Sequence, residues 1–265
     1  MDQARLSEGA ERLNKARRTG RPIEAALAQG VPADLDEAYA IQSAGIPGIL
    51  AGAGGGGPIG YKIGCTNAAA QQLLGIPHPV HGVLLSPFAH ESPARLDAGA
   101  FHIRVIEPEI AFRLARDLPP EGAPYAADEL APALAAVMGA IEVVDTRYAN
   151  WTTVGALNLI ADNASAGHWV KGAESADVAA VDYVRQPVRL YLNGAPVQEG
   201  VAGNALGSSL KALAWLANAL AARGPGLKAG DLVTTGTCTP VIEVGAGDTA
   251  MADFGSLGQV SVSFA

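Results

Sequence analysis

Cysteine is scarce, with only Cys65 and Cys238 in a chain of 265 residues. A disulfide-stapled scaffold is therefore excluded, and a single Cys65 to Cys238 pairing is the most that oxidation allows. Charge is also sparse at 17%, and positive charge is the scarcer sign: 18 Lys and Arg against 26 Asp and Glu leave a formal net charge of -8. That balance disfavours nucleic acid and anionic membrane surfaces as partners. An anionic ligand must then be attracted by something other than bulk charge, and a bound divalent cation is the obvious candidate. Long apolar runs are missing too, since no window approaches the ~18 uninterrupted apolar residues of a membrane span. The first 20 residues carry Arg5, Glu8, Glu11, Arg12, Lys15, Arg17 and Arg18. They read as an amphipathic helix and not as a secretory segment, so a cytoplasmic protein with reduced thiols is expected.

What is present is apolar: 49% hydrophobic residues and a mean hydropathy of +0.20 supply a large core and exclude disordered, collagen-like and coiled-coil classes. Leu6, Ala10, Leu13 and Ala16 recur at helical spacing within residues 2–18, and a second helix runs from about Asp34 through Tyr39 and Ile41 until Pro47 stops it. The glycine-rich run 51–57 ends this part, which divides the chain into a helical region 1–57 and a β-rich catalytic domain 58–265. Beyond Pro58 come short apolar runs at 59–64, 83–85, 101–114, 137–145, 187–192, 231–235, 240–244 and 258–264. Such spacing predicts a sandwich or roll and not a doubly wound sheet. Three helices interrupt it: one capped by Thr66 or Asn67 and closed by Gly75, one over 128–136, and one from Ser208 or Ser209 to Arg223 with Leu210, Leu213, Leu216 and Leu220 inward. Gly52, Gly54 and Gly57 formally match a dinucleotide fingerprint, but no strand precedes them and no helix follows.

The chemistry concentrates in three strands. In Ile-Arg-Val-Ile-Glu-Pro-Glu-Ile-Ala-Phe-Arg (103–113), Glu107 and Glu109 share one strand face, roughly 7 Å apart. Ile103, Val105 and Ala111 share that face, so it points inward. Two inward carboxylates without a cation cost several kcal/mol each or stay protonated, which implies a hard divalent metal or a shared proton. Pro108 removes a ladder donor and fits an edge or a bulge. Glu142, flanked by Ile141 and Val143, is a third candidate oxygen ligand. Asp145 and Arg147 just beyond it read equally as site residues or as a local ion pair. Lys62 in Gly-Tyr-Lys-Ile-Gly is either solvated or a point charge for a substrate carboxylate or oxo group. Asp162, Ser165 and His168 lie in a polar segment that lacks a nucleophile-elbow pattern, so hydrogen bonding is its expected use. The run from Thr234 to Pro240, with Thr237 at its centre, is an ordinary turn or one that offers backbone N–H groups to an anion.

These segments, together with Ile-Ala-Asp-Asn-Ala-Ser (160–165), Trp-Leu-Ala-Asn-Ala-Leu-Ala (215–221), Leu-Lys-Ala-Gly-Asp (227–231) and the final Phe-Gly-Ser-Leu-Gly-Gln-Val-Ser-Val-Ser-Phe (254–264), resemble the 2-keto-4-pentenoate hydratase and 4-oxalocrotonate decarboxylase group of the fumarylacetoacetate hydrolase superfamily. The resemblance implies an α+β fold, a mixed β-sandwich roll with a small N-terminal helical region. It further implies a homo-oligomer, Mg2+ or Mn2+ on Glu107, Glu109 and Glu142, and Lys62 facing a small 2-oxo or 2-hydroxydienoic acid. Catalytic roles then fall to Lys62, His81 and Asp145, and substrate contacts to Arg147, Asp162, Ser165 and Thr237. The implied reaction is addition of water to a 2-hydroxy-2,4-dienoate, giving a 4-hydroxy-2-oxo acid in aromatic catabolism. Alternatives are decarboxylation of a 2-oxo dioic acid, with Arg147 as the second cationic contact, and a silent 2-oxo-acid-binding partner subunit. Two departures stand out. The group's Asp-x-Gly is matched by His78-Pro-Val-His81-Gly82, with His81 taken as the proton-transfer group, and its Ser-Gly-Gly-Leu-Thr run is replaced by Thr-Gly-Thr-Cys-Thr (235–239).

Overall fold

The computed structural model describes residues 3–27 and 32–265; residue 2, where the sequence reading starts its first helix, lies outside them. Helix α1 (Gln3–Thr19) buries Ala10, Leu13 and Ala16, as its spacing predicts. These side chains join Ile41, Tyr148, Leu159 and Ala161 in one cluster, so the helical region shares its core with the later chain. Helix α2 (Leu35–Gly52) starts at Asp34, whose carboxylate accepts the Glu37 N–H at 2.9 Å. It does not stop at Pro47 but carries that proline internally. A proline inside a helix costs about 3 kcal/mol on its own. Burial of Ile46 and Ile49 against Leu85 and Phe88 offsets that cost.

Thirteen strands follow among the described residues: β1 (Pro58–Gly64), β2 (Val80–Leu85), β3 (Ala89–Glu91), β4 (Ala94–Leu96), β5 (Val105–Leu114), β6 (Leu134–Val144), β7 (His168–Lys171), β8 (Pro187–Leu192), β9 (Ala195–Val201), β10 (Leu232–Thr237), β11 (Ile242–Glu243), β12 (Thr249–Asp253) and β13 (Gln259–Phe264). Between them lie α3 (Ala68–Leu74), α4 (Ala156–Ala161) and α5 (Ser209–Ala221). Caps explain two of these helices: Asn67 opens α3 and left-handed Gly75 closes it, while the Ser208 hydroxyl accepts the Leu210 N–H at the start of α5. The helix expected over 128–136 is absent. Pro132 breaks that stretch into two short 3-10 turns, Ala127–Glu129 and Ala131–Ala133, and β6 begins at Leu134.

The larger sheet has the order β2-β1-β10-β5-β6-β7-β3 with β11 beside β5, and the smaller one runs β4-β13-β12-β8-β9. Pairing is mixed, since β1 with β10, β3 with β7 and β4 with β13 are parallel. The main core lies between the sheets. Ile106, Ile110 and Phe112 of β5 and Ile141 and Val143 of β6 meet Leu190, Ala252, Val262 and the α5 leucines 213, 216 and 220. Gly139 is required here, because a Cβ on it would lie 2.3 Å from the Phe254 ring.

The other face of the larger sheet carries a second cluster: Leu84, Ala111, Met138, Ala140 and Trp169, with Ile59, Ala89 and Leu232 against it. Residues of β1 and β2 at one end of the strand order therefore touch residues of β3 and β7 at the other. The sheet curls into a roll with its own interior, and Lys62, Glu107, Glu109 and Glu142 belong to that inner face by strand alternation. Both cysteines are free. No described helix is long and apolar enough to cross a membrane.

Candidate active site

Antiparallel pairing sets Glu107 of β5 directly opposite Glu142 of β6, and Glu109 follows on the same face. One carboxylate oxygen from each of the three lies within 4.8 Å of the others. The bulge expected near Pro108 exists on the neighbouring strand, where the β10 register shifts between Thr234 and Thr237. That shift lets the Thr234 hydroxyl and the Gly236 N–H, the latter at 3.0 Å, both donate to Glu109 Oε2. The threonine-rich run thus does offer a backbone N–H to an anion, and the anion is a side chain of the protein itself. Thr237, paired with Glu109 in register, donates its hydroxyl to the Thr239 carbonyl at 2.9 Å.

Lys62 enters this interior from β1. Its Nζ stands 3.1 Å from Glu142 Oε1 and donates to the Ala164 carbonyl at 2.9 Å. Burial works against its charge, but Glu142, Glu107 and Glu109 outweigh burial and hold its pKa above the ordinary lysine value. The carboxylates pay the other side of that balance: burial pushes Glu142 up to about 7, and burial with the charges of Glu142 and Glu107 pushes Glu109 well above the carboxylate range. Glu109 Oε1 and Glu142 Oε2 are buried without a hydrogen-bond partner among the described residues. Buried, unpartnered, closely spaced oxygens are costly alone and are the donor set a hard divalent cation prefers, so these residues fit such an ion.

The Ala164 carbonyl that holds Lys62 belongs to an unusual turn. Asn163, Ala164 and Ser165 all adopt left-handed backbone, with φ of 51°, 50° and 59°. Conformations of this kind cost of order 1–3 kcal/mol each and persist only when neighbours fix them. The Asn163 amide pairs with the otherwise free edge of β2, accepting the Val83 N–H at 2.7 Å and donating to its carbonyl at 2.9 Å. Arg17 and Arg147 both donate to the Ala166 carbonyl, at 3.1 and 3.3 Å. Gly82 makes room for the turn, since a Cβ there would sit 2.4 Å from the Asn163 carbonyl.

Asp145, Arg147 and Asp162 form their own buried cluster. Arg147 Nε lies 2.7 Å from Asp162 Oδ1 and Nη1 lies 3.1 Å from Asp145 Oδ2. Asp145 Oδ1 also accepts the His102 and Ile103 N–H groups, both at 3.0 Å. The local ion-pair reading of Asp145 and Arg147 is therefore the observed one, and Arg147 is committed to two aspartates instead of being available to a second substrate carboxylate. The cluster touches the 163–166 turn, with Arg147 donating to the Ala166 carbonyl, the Asp145 N–H to the Ser165 carbonyl and the Ser165 N–H to the Asp162 carbonyl. Arg147→Met leaves two buried carboxylates against Arg17 alone, so it is expected to destabilise the fold by ~3–5 kcal/mol. That corresponds to a Tm lower by about 10 °C in a thermal melt.

His81 is placed differently from the expectation. It pairs with Ile63, whereas its neighbour Gly82 pairs with Lys62, so the imidazole faces away from the carboxylates. The ring stacks on Tyr39 at 4.2 Å, lies near Tyr61 and Trp215, and both ring nitrogens are buried without partners among the described residues. Burial, with help from Arg223, pulls its pKa down to about 4, which keeps it neutral. Counting Asp-x-Gly back from Gly82 puts the acid's position at Val80, which shares the inner face with Gly82. The sequence reading also missed Asn163, Thr234 and Arg17. For the last two, neither place is local information: Thr234 meets Lys62 through the parallel pairing of β1 with β10, and only the tertiary fold brings Arg17 of α1 to Ala166.

A curled β-roll with three converging inward carboxylates and a buried lysine defines a known class. The family model described as the fumarylacetoacetate (FAA) hydrolase C-terminal matches residues 86–264, and the chain belongs to that family. Within the family it is similar over its whole length to hydratases. The 2-keto-4-pentenoate hydratase of Paraburkholderia phymatum is 34% identical, with 99% of this chain and 98% of the relative covered. That of Paraburkholderia xenovorans is 32% identical, covering 100% and 96%. Among solved structures, 4-oxalocrotonate decarboxylase from Pseudomonas putida G7, complexed with magnesium and adipate, superposes with a TM-score of 0.92 at 28% identity, covering 100% of this chain and 99% of that one.

Proposed function

We propose that the chain is a divalent-metal-dependent hydro-lyase that adds water to a 2-hydroxy-2,4-dienoate and yields a 4-hydroxy-2-oxo acid. The observation that carries this reading is the set of buried carboxylate oxygens on Glu107, Glu109 and Glu142 beside Lys62, in a chain that matches hydratases end to end. Glu107, Glu109 and Glu142 would hold Mg2+ or Mn2+, which when bound supplies Lewis-acid polarisation to the oxygens of a 2-oxo acid. Lys62, kept as an ammonium, adds a fixed positive charge and hydrogen-bond donors for the developing negative charge at the substrate oxygen. The dienol gives up its 2-hydroxyl proton and takes a proton at its terminal carbon, becoming the α,β-unsaturated ketone. The oxygen of water then bonds to C4, and a proton goes to C3. The Ser165 hydroxyl, on the turn that holds Lys62, is assigned to substrate contact, and Thr237 shapes the wall beside Glu109. Asp145, Arg147 and Asp162 position that turn and do not touch substrate. Helix α2 packs Ile46 and Ile49 against Leu85 of the roll, and the enzyme works in the cytoplasm as a homo-oligomer.

The decarboxylase reading draws on the solved structure with adipate, a diacid. Against it, Arg147, the second cation the sequence offers, is already bound by two aspartates. The silent-subunit reading has no use for three intact carboxylates. Incubation with 2-hydroxypenta-2,4-dienoate and Mg2+ is expected to deplete the dienol absorbance and produce the 4-hydroxy-2-oxo acid. An unchanged absorbance sinks the hydratase reading, and release of CO2 from a 2-oxo dioic acid without water addition selects the decarboxylase.

A further inference from the structure

Between β2 and β3, the two ends of the strand order, the roll is not closed by strand pairing, and a cavity of about 20 Å³ lies at that seam, next to β7. Its lining includes Trp169, Glu142, Leu84, Phe88, His168 and Arg17. The volume suits one water molecule, which also needs polar partners to be ordered. Two such partners border it. Trp169 is only 2% exposed, and its indole Nε1 is buried with no acceptor among the described residues. Glu142 stands opposite Trp169 in the β6–β7 register, on the same inner face, and its Oε2 is buried without a donor. An indole N–H is a donor only and a carboxylate is an acceptor, so a single water between them satisfies both. The cavity shares Arg17, Phe88 and His168 as a common wall with a cleft of about 470 Å³ lined by α1 and α2.

We propose that the seam cavity is a water site in which one ordered water accepts from Trp169 Nε1 and donates to the Glu142 carboxylate, making Trp169 a positioning residue for the carboxylate triad. Outer partners of this kind fix the orientation of a ligating carboxylate, and removing one typically weakens metal binding 10–100-fold. The metal arm of the inference rests on the reading of Glu142 as a ligand, whereas the water arm does not.

A high-resolution crystal structure of the full chain tests the water arm. The expected result is an ordered water at hydrogen-bond distance, about 2.7–3.2 Å, from both Trp169 Nε1 and a Glu142 oxygen. An empty cavity, or a protein acceptor on Nε1, overturns the proposal. Trp169→Phe tests the positioning arm by keeping an aromatic ring and removing the N–H. Mn2+ affinity, titrated by electron paramagnetic resonance, is expected to fall by about 10–100-fold while the metal-free Tm stays within a few degrees of the parent. Affinity within twofold of the parent overturns the positioning role. A parent chain that binds no Mn2+ sinks the metal reading itself, and the crystallographic result then decides the water site on its own.

Discussion

Lys62→Met is expected to lower kcat for dienoate hydration by about 10²–10³-fold, the loss seen when one preorganised stabilising donor is removed from a reacting oxyanion. The substitution keeps most of the side-chain volume and deletes the charge that stands 3.1 Å from Glu142. With a divalent cation in place, three carboxylates are balanced by that cation and the ammonium together. Without Lys62 the balance is one charge short of neutral, and an anionic substrate meets a repulsive site, so KM rises as well. Metal binding moves the opposite way. The ammonium and the cation compete for Glu142, so the variant is expected to bind Mn2+ at least as tightly as the parent. This split between turnover and metal affinity separates a substrate role from a structural one, because a collapsed site loses both. Turnover within threefold of the parent removes Lys62 from the mechanism, and steady-state kinetics beside a Mn2+ titration decides it.

Much of this site was legible in the sequence because strand periodicity is short-range information. Glu107 and Glu109 share a face whatever the rest of the chain does, and Ile106, Ile110 and Phe112 on either side of them assign the opposite face to the core. The capped helices were equally local: Asn67 with Gly75, and Ser208 with the leucines of α5, carry their start and stop signals within a few residues. What failed depended on long-range contacts. Pro47 breaks an isolated helix, yet Ile46 and Ile49 packing on Leu85 carries α2 through it. Strands β3, β4, β7, β9 and β12 were missed because they are short, or because a mixed Ala-Pro-Val-Gln-Glu-Gly-Val pattern gives no clean alternation. His81 shows the cost of a one-residue offset, since adjacent strand positions face opposite sides of a sheet. The left-handed turn at 163–165 was invisible, because Asn tolerates positive φ but Ala and Ser do not announce it, and long-range contacts from Lys62, Arg17, Arg147 and the Asp145 N–H help hold it there.

Divalent metal is expected to change the stability of the chain by an amount that grows with pH. In the metal-free protein, burial raises the pKa values of Glu107, Glu109 and Glu142 above their unfolded values, with Glu142 at about 7. The folded state therefore binds more protons than the unfolded state from about pH 4.3 upward, and stability from these groups falls as pH rises through that window towards 7 and beyond. His81 and His168, each pulled down to about 4 by burial, act in the opposite sense below pH 6.5, because the unfolded chain protonates them first. The absolute melting curve thus mixes two trends of opposite sign, and the difference with and without cation isolates the carboxylates. A divalent ion needs them deprotonated, so its binding releases protons and strengthens with pH. At a concentration of 100 Kd the gain is about 2.7 kcal/mol, or roughly 5–10 °C in Tm for a chain of this length. Thermal melts with and without Mg2+ or Mn2+ should show that gain at pH 8 and little of it at pH 5. In Glu109→Gln the gain should shrink, because one oxygen ligand has lost its charge. A cation-induced shift that is equal at both pH values, or absent at both, contradicts the assignment of the raised carboxylates as the metal ligands. The same linkage bears on how a protein of net charge -8 takes an anionic substrate: the acids that face it hold protons more readily than free carboxylates, Lys62 pairs with Glu142, and a bound cation would balance the rest.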